Sequence, residues 1–100
     1  MKKCEFYSFM MKDRRPAAVS QKGYTDGHFN YYRSPAGSWY AIVPEVGLSA
    51  GGAEPTRKQA AERAHQMRDA IKKRLETPAG NDMRLRWENA LRAAEGGAEI

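Results

Sequence analysis

The sequence predicts a small α+β domain in which an antiparallel sheet, an N-terminal strand plus a β-hairpin, packs against two C-terminal helices. Three observations lead there. Residues 29–40 carry five aromatic residues around one tight turn. Apolar residues recur at helical spacing from Ala60 to Leu75, and a second helical stripe runs from Met83 to Ala94 before two glycines. With 100 residues, 41% of them hydrophobic, the chain is long enough for one core and too short for two. Residues 1–100 are therefore expected to form a single domain.

Residues 4–12, CEFYSFMMK, read as a strand because aromatic and unbranched apolar residues crowd together with no helix cap before them. Residues 13–27 read as a loop, interrupted by Pro16 and two glycines. Ser34-Pro35-Ala36-Gly37 then has the chemistry of a type I turn, with proline presetting the second position and Gly37 closing a bulged hairpin. If Ser34 faces Ser38, Arg33 pairs with Trp39, Tyr32 with Tyr40, Tyr31 with Ala41, Asn30 with Ile42 and Phe29 with Val43. Alternation along the strands then makes two faces. The face with Phe29, Tyr31, Trp39 and Val43 holds the larger apolar area and is assigned to the core, at about 25 cal/mol per Å² buried. Tyr32, Tyr40 and Ile42 are left looking outward, or toward the 13–27 segment.

Pro44 ends the hairpin or marks a sheet edge, and Val46 to Ser49 has room for a short further strand. Thr56 with Gln59 forms a capping box, and Ala60, Ala64, Met67, Ile71 and Leu75 make the inner face of one helix that stops by Thr77-Pro78. The second helix starts near Asn81 or Asp82, buries Met83, Trp87, Ala90, Leu91 and Ala94, and ends at Gly96-Gly97.

Net charge is +5, from 17 Lys and Arg against 12 Asp and Glu, and it biases the chain toward polyanions or acidic protein surfaces. The charge is uneven. Residues 2–22 and 56–92 are basic, whereas 23–55 hold only Arg33 against Asp26, Glu45 and Glu54. One helix flank aligns Arg57, His65, Arg68 and Lys72, and Arg84, Arg86 and Arg92 extend it.

Catalytic chemistry finds no foothold in the pattern. His28 and His65 lie in different elements, outside any spaced set with Cys, Asp or Glu, and neither a paired Cys motif nor a His-x-x-x-His spacing occurs. Gly47, Gly51 and Gly52 do not make a phosphate loop. The lone Cys4 has only Lys2 and Lys3 nearby to activate it and fits a half-buried strand residue. No apolar run approaches a membrane span or a signal peptide. The expectation is a non-enzymatic cytoplasmic protein with no cofactor, metal, membrane or small-molecule substrate.

Two resemblances bear on partners. The stretch YYRSPAGSWYAI followed by TRKQAAERA is similar to the hairpin-plus-helix of plant AP2-type and phage-integrase arm-type DNA-binding domains, which read DNA with a three-stranded sheet braced by one helix. Where those families place basic side chains on the DNA-facing strands, this chain has Asn30, Tyr32, Tyr40 and Ile42. In length, mixed α/β character and lack of catalytic motifs, the whole chain also resembles the anti-CRISPR proteins of phages, especially inhibitors of type I surveillance complexes. That resemblance implies binding to protein subunits of a bacterial guide-RNA complex so that target DNA is excluded, with a DNA-binding accessory domain as the alternative. The candidate contact residues are Asn30, Tyr32, Arg33, Tyr40 and Ile42 on the hairpin, and Arg57, Arg68 and Lys72 on the helix flank, through which nucleic acid is also reachable. The competing reading of the tyrosines packs Tyr32 and Tyr40 as neighbours beneath the 13–27 segment.

Overall fold

The computed structural model describes residues 1–96, so the Gly97 end expected for the last helix lies outside the described residues. These form strands β1 (Lys2–Lys12), β2 (Arg15–Thr25), β3 (Asn30–Arg33) and β4 (Trp39–Ile42), then helices α1 (Arg57–Gln66), α2 (Arg68–Leu75) and α3 (Pro78–Gly96). The strands make one antiparallel sheet in chain order. The β3–β4 hairpin has the predicted register, Arg33 to Trp39 through Asn30 to Ile42. Its turn is closed by Ser34 and Ser38 with Gly37 at φ 91°.

The 13–27 segment is not a loop. Arg15–Thr25 pairs with the whole of β1 through a two-residue turn, Asp13-Arg14, at φ 51° and 66°. That is the primed turn that hairpin twist favours, built without the usual glycine. Holding a non-glycine residue there costs about 1 kcal/mol. Pro16 is tolerated because Lys12 and Arg15 flank the turn as a hydrogen-bonded pair. By alternation the Pro16 nitrogen then points away from β1, toward the side where β2 has no partner.

β2 meets β3 only at Tyr24 and Thr25. At Gly23 the ribbon passes so close to β3 that a Cβ would lie 1.9 Å from the Tyr31 carbonyl oxygen. The long β1–β2 ribbon thereby folds over the β3–β4 face that carries Tyr32 and Ile42. Phe6 meets Tyr32 at 6.3 Å between ring centroids, and the Phe9 N–H donates to Gly47 O. Residues 48–54 complete the curl by hydrogen bonding along the free edge of β4, through isolated bridges and not the extra strand envisaged for Val46 to Ser49.

The opposite face of the hairpin packs on α1. Phe29, Tyr31, Ala41 and Val43 bury against Ala60, Ala64 and Leu75, with Trp39, Ile71 and Met83 half-buried around them. The helices differ from expectation in three places. The expected single helix breaks at Met67 (φ −92°, ψ −1°), whose N–H is shared between the Arg63 and Ala64 carbonyls in a tightened turn. The last helix starts at Pro78, because Thr77 caps it by accepting from Gly80 N–H, and proline suits the first helical position. Ala94 is exposed, while Trp87 is buried as expected.

Candidate functional site

A cleft of about 630 Å³ opens where the β2–β3 turn, the end of β4, α2 and the first half of α3 meet. Its apolar floor is Phe29, Val43, Ile71 and Leu75. Its walls carry His28, His65, Arg68, Lys72 and Arg84, with Glu45, Asp69 and Glu76 among them.

One wall is built by Asp26. Its Oδ1 accepts the N–H groups of His28 and Phe29, both at 2.9 Å, and its Oδ2 accepts the Tyr31 hydroxyl at 2.6 Å and lies 2.7 Å from His65 Nε2. Burial pushes the Asp26 carboxyl up, but these bonds outweigh it and hold the group well below the usual carboxylate range. Burial, and then the bond to Asp26, push the Tyr31 hydroxyl far above its ordinary range. The two histidines, unrelated in sequence, stand edge to face at 5.6 Å between ring centroids, and Phe29 meets His65 at 5.1 Å. An aspartate that orients a histidine is also an element of hydrolytic sites. Here the contact ties the β2–β3 turn to α1.

Asp26→Asn should cost about 2 kcal/mol by weakening several charge-assisted bonds at once. Because the folded-state pKa is depressed, this stabilisation is present above the unfolded value of about 3.9 and is lost as pH falls below it. Denaturation of both proteins at neutral and acid pH should show the gap between them narrowing in acid.

The predicted basic flank divides. Arg57 turns away from the cleft and lies over the Tyr24 ring at 4.2 Å and the Trp39 ring at 5.9 Å from the centroids, a contact of about 0.5–1 kcal/mol. It takes the place beside Trp39 that the register offered to Arg33, which is exposed. Arg68 and Lys72 do face the cleft, joined there by Arg84 from α3. The ion pairs among the described residues are His65–Asp26 and Arg86–Asp82 at 3.1 Å. Arg68, Lys72 and Arg84 therefore reach no carboxylate, although three acids share the cleft. The Arg84 Nε is buried with no hydrogen-bond partner, where buried donors are normally satisfied.

On the hairpin the outward-facing expectation fails for Tyr32 and Ile42, which are buried beneath the β1–β2 ribbon. Tyr32 stacks on half-buried Tyr40 at 5.6 Å between centroids, and burial followed by the neighbouring Tyr40 pushes its hydroxyl up. Asn30 is half-buried in the ladder opposite Ile42. Five aromatics around one turn are thus explained largely by two cores, one on each face of the hairpin. Cys4 is half-buried, and burial raises its thiol pKa.

Sequence reasoning missed Asp26 and His28 as parts of the site. The signal was Asp26-Gly27-His28, an aspartate placed to bind its own backbone two and three residues on. Among the described residues no cluster of His, Cys, Asp and Glu is arranged to hold a metal, and no helix is long and apolar enough to cross a membrane. The chain matches no protein-family model, no curated protein and no solved structure.

Proposed function

We propose that the protein is a non-enzymatic binding protein of the anti-CRISPR kind, which occupies protein subunits of a bacterial RNA-guided surveillance complex and blocks target DNA binding. The observation that carries this reading is the set of unpaired cations, Arg68, Lys72 and Arg84, converging on one open cleft with the Arg84 Nε buried and unsatisfied. Arg68 and Lys72 are exposed and free to meet a partner, whereas Arg84 is half-buried, and an unpaired charge held there costs free energy unless a partner neutralises it. An acidic element of a nucleoprotein complex supplies that neutralisation.

The alternative, a DNA-binding accessory domain of AP2 or integrase arm type, loses support from the fold. The sheet face away from α1, which such domains would lay on DNA, is covered here by β1–β2 and holds Tyr32 and Ile42 in a core. Arg57, which on that reading would join a phosphate-binding ridge, is engaged with Tyr24 and Trp39.

The test is capture from a bacterial lysate containing a type I surveillance complex, with and without nuclease, using the parent protein and Arg68→Gln/Lys72→Gln. A protein-directed contact survives nuclease and weakens at least about tenfold in the double variant, about 1.4 kcal/mol. Loss of capture on nuclease treatment, with tight binding to bare duplex DNA at physiological salt, would favour the accessory-domain reading. In that case each lost phosphate contact would change the slope of log K against log salt by about 0.9.

A further inference from the structure

Three of the five large hydrophobic residues exposed among the described residues lie together away from the basic cleft, at the end of the β1–β2 ribbon. Met10, Met11 and Leu48 are 41%, 68% and 39% exposed. Two adjoining hollows, of about 330 and 370 Å³, share Phe9, Met10, Met11 and Leu48. One continues to Pro16, Met83 and Arg86, the other to Tyr32 and Tyr40. Contiguous exposed apolar surface of this kind marks an interaction site, and methionine adapts to partners of varied shape.

The chain next to the groove sets the partner's charge. Lys12, Arg14 and Arg15, which lie between the lining residues Met11 and Pro16 in sequence, stand exposed at the ribbon tip beside a single acid, Asp13, and none of the three is in an ion pair among the described residues. Arg14 also holds a left-handed backbone, φ 66°, where turn chemistry asks for glycine. Strain of this kind, which Asp13 shares, is characteristic of binding sites.

We infer that this groove docks an acidic, amphipathic segment of a partner protein, its apolar side chains on Met10, Met11 and Leu48 and its carboxylates on Lys12, Arg14 and Arg15. The inference deepens the proposed function by giving the partner's chemistry, and rests on it only in taking the partner to be protein. A bilayer suits the site less well. The apolar residues line hollows behind a charged tip, Asp13-Arg14, which insertion would have to bury. Single-stranded nucleic acid is disfavoured because the exposed side chains of the groove are methionine and leucine, while the aromatic residues that line it, Phe9, Tyr32 and Tyr40, are half-buried or buried.

The test needs no surveillance complex. A fluorescent peptide with leucines on one helical face and glutamates on the other is titrated against the intact protein, beside the same peptide with lysines for glutamates. Anionic vesicles of phosphatidylserine and phosphatidylcholine, and a single-stranded oligonucleotide, are the other arms. The acidic peptide should bind best. Met11→Glu, at a solvent-exposed position, should weaken it about tenfold with Tm unchanged. Arg14→Gly should weaken it while raising Tm, because glycine relieves the left-handed strain; a merely structural arginine would give the rise alone. Equal binding of the two peptides, indifference to Met11→Glu, or preference for vesicles or oligonucleotide would overturn the inference. Arg68→Gln/Lys72→Gln should bind the peptide normally. Peptide binding without capture of the complex would therefore sink the proposed function and leave the groove standing, and capture without peptide binding would do the reverse.

Discussion

Gly23→Ala should destabilise the domain by about 3 kcal/mol or more, measured by chemical denaturation, because the new methyl group has nowhere to go. Its Cβ would stand 1.9 Å from the Tyr31 carbonyl oxygen and 2.9 Å from the carbonyl carbon, both backbone atoms, so no side-chain rotation relieves the clash. Overpacking commonly costs 1–3 kcal/mol, and the inability of backbone to yield puts this site at the top of that range. Relief requires β2 to move off β3, and that uncovers Tyr32 and Ile42 together. Gly52→Ala is the control: nothing lies within 4 Å of its Cβ position, so the change should be near neutral or slightly stabilising.

Trp87→Ala is the second large effect, at about 3–5 kcal/mol, a substantial part of the 5–15 kcal/mol that holds a typical domain. Trp87 joins α3 to the remainder of the fold by three contacts. Its ring lies against Phe9 of β1 at 5.4 Å, its Nε1 donates to the Pro44 carbonyl at 3.1 Å, and it covers Gly47, where a Cβ would come within 2.6 Å of the ring. Gly47 has φ 67° and is closed to side chains on both grounds. Trp87→Phe separates packing from polarity. It keeps most of the ring and loses the Pro44 bond, which should cost about 1–2 kcal/mol. Denaturation midpoints should therefore fall in the order parent, Trp87→Phe, Trp87→Ala.

The parts of the fold that were legible are those decided by neighbours in sequence. The β3–β4 register followed from Ser34-Pro35-Ala36-Gly37, because turn type sets pairing in a hairpin. Thr56 and Gln59 placed the start of α1 for the same local reason. Reading failed where a residue's meaning depends on what lies across from it. Pro16 and Gly23 look like breakers, yet one sits on an unpartnered edge and the other lets β2 pass close to the Tyr31 carbonyl. Thr77-Pro78 ends one helix and equally begins the next. The break at Met67 was invisible because the apolar spacing continues through it.

The site divided for similar reasons. Arg57, Arg68 and Lys72 align on a helical flank, but Arg57 was drawn away by Tyr24, a residue of the segment read as a loop. His28 and Arg84 reached the cleft only through tertiary packing. Tyr32 and Ile42 stood between an outward position and one beneath the 13–27 segment because the element that covers them, β1–β2, was only half recognised.

The central claim is that the protein acts by occupying a surface, and stoichiometry tests it most directly. A guide-loaded type I surveillance complex is titrated with the protein, and binding of labelled target duplex is followed at several incubation times. The account predicts that inhibition is complete near a fixed small ratio of protein to complex, does not deepen with time, and reverses when the protein is removed. Progressive inhibition at sub-stoichiometric amounts, or undiminished target binding at saturating protein, would contradict it.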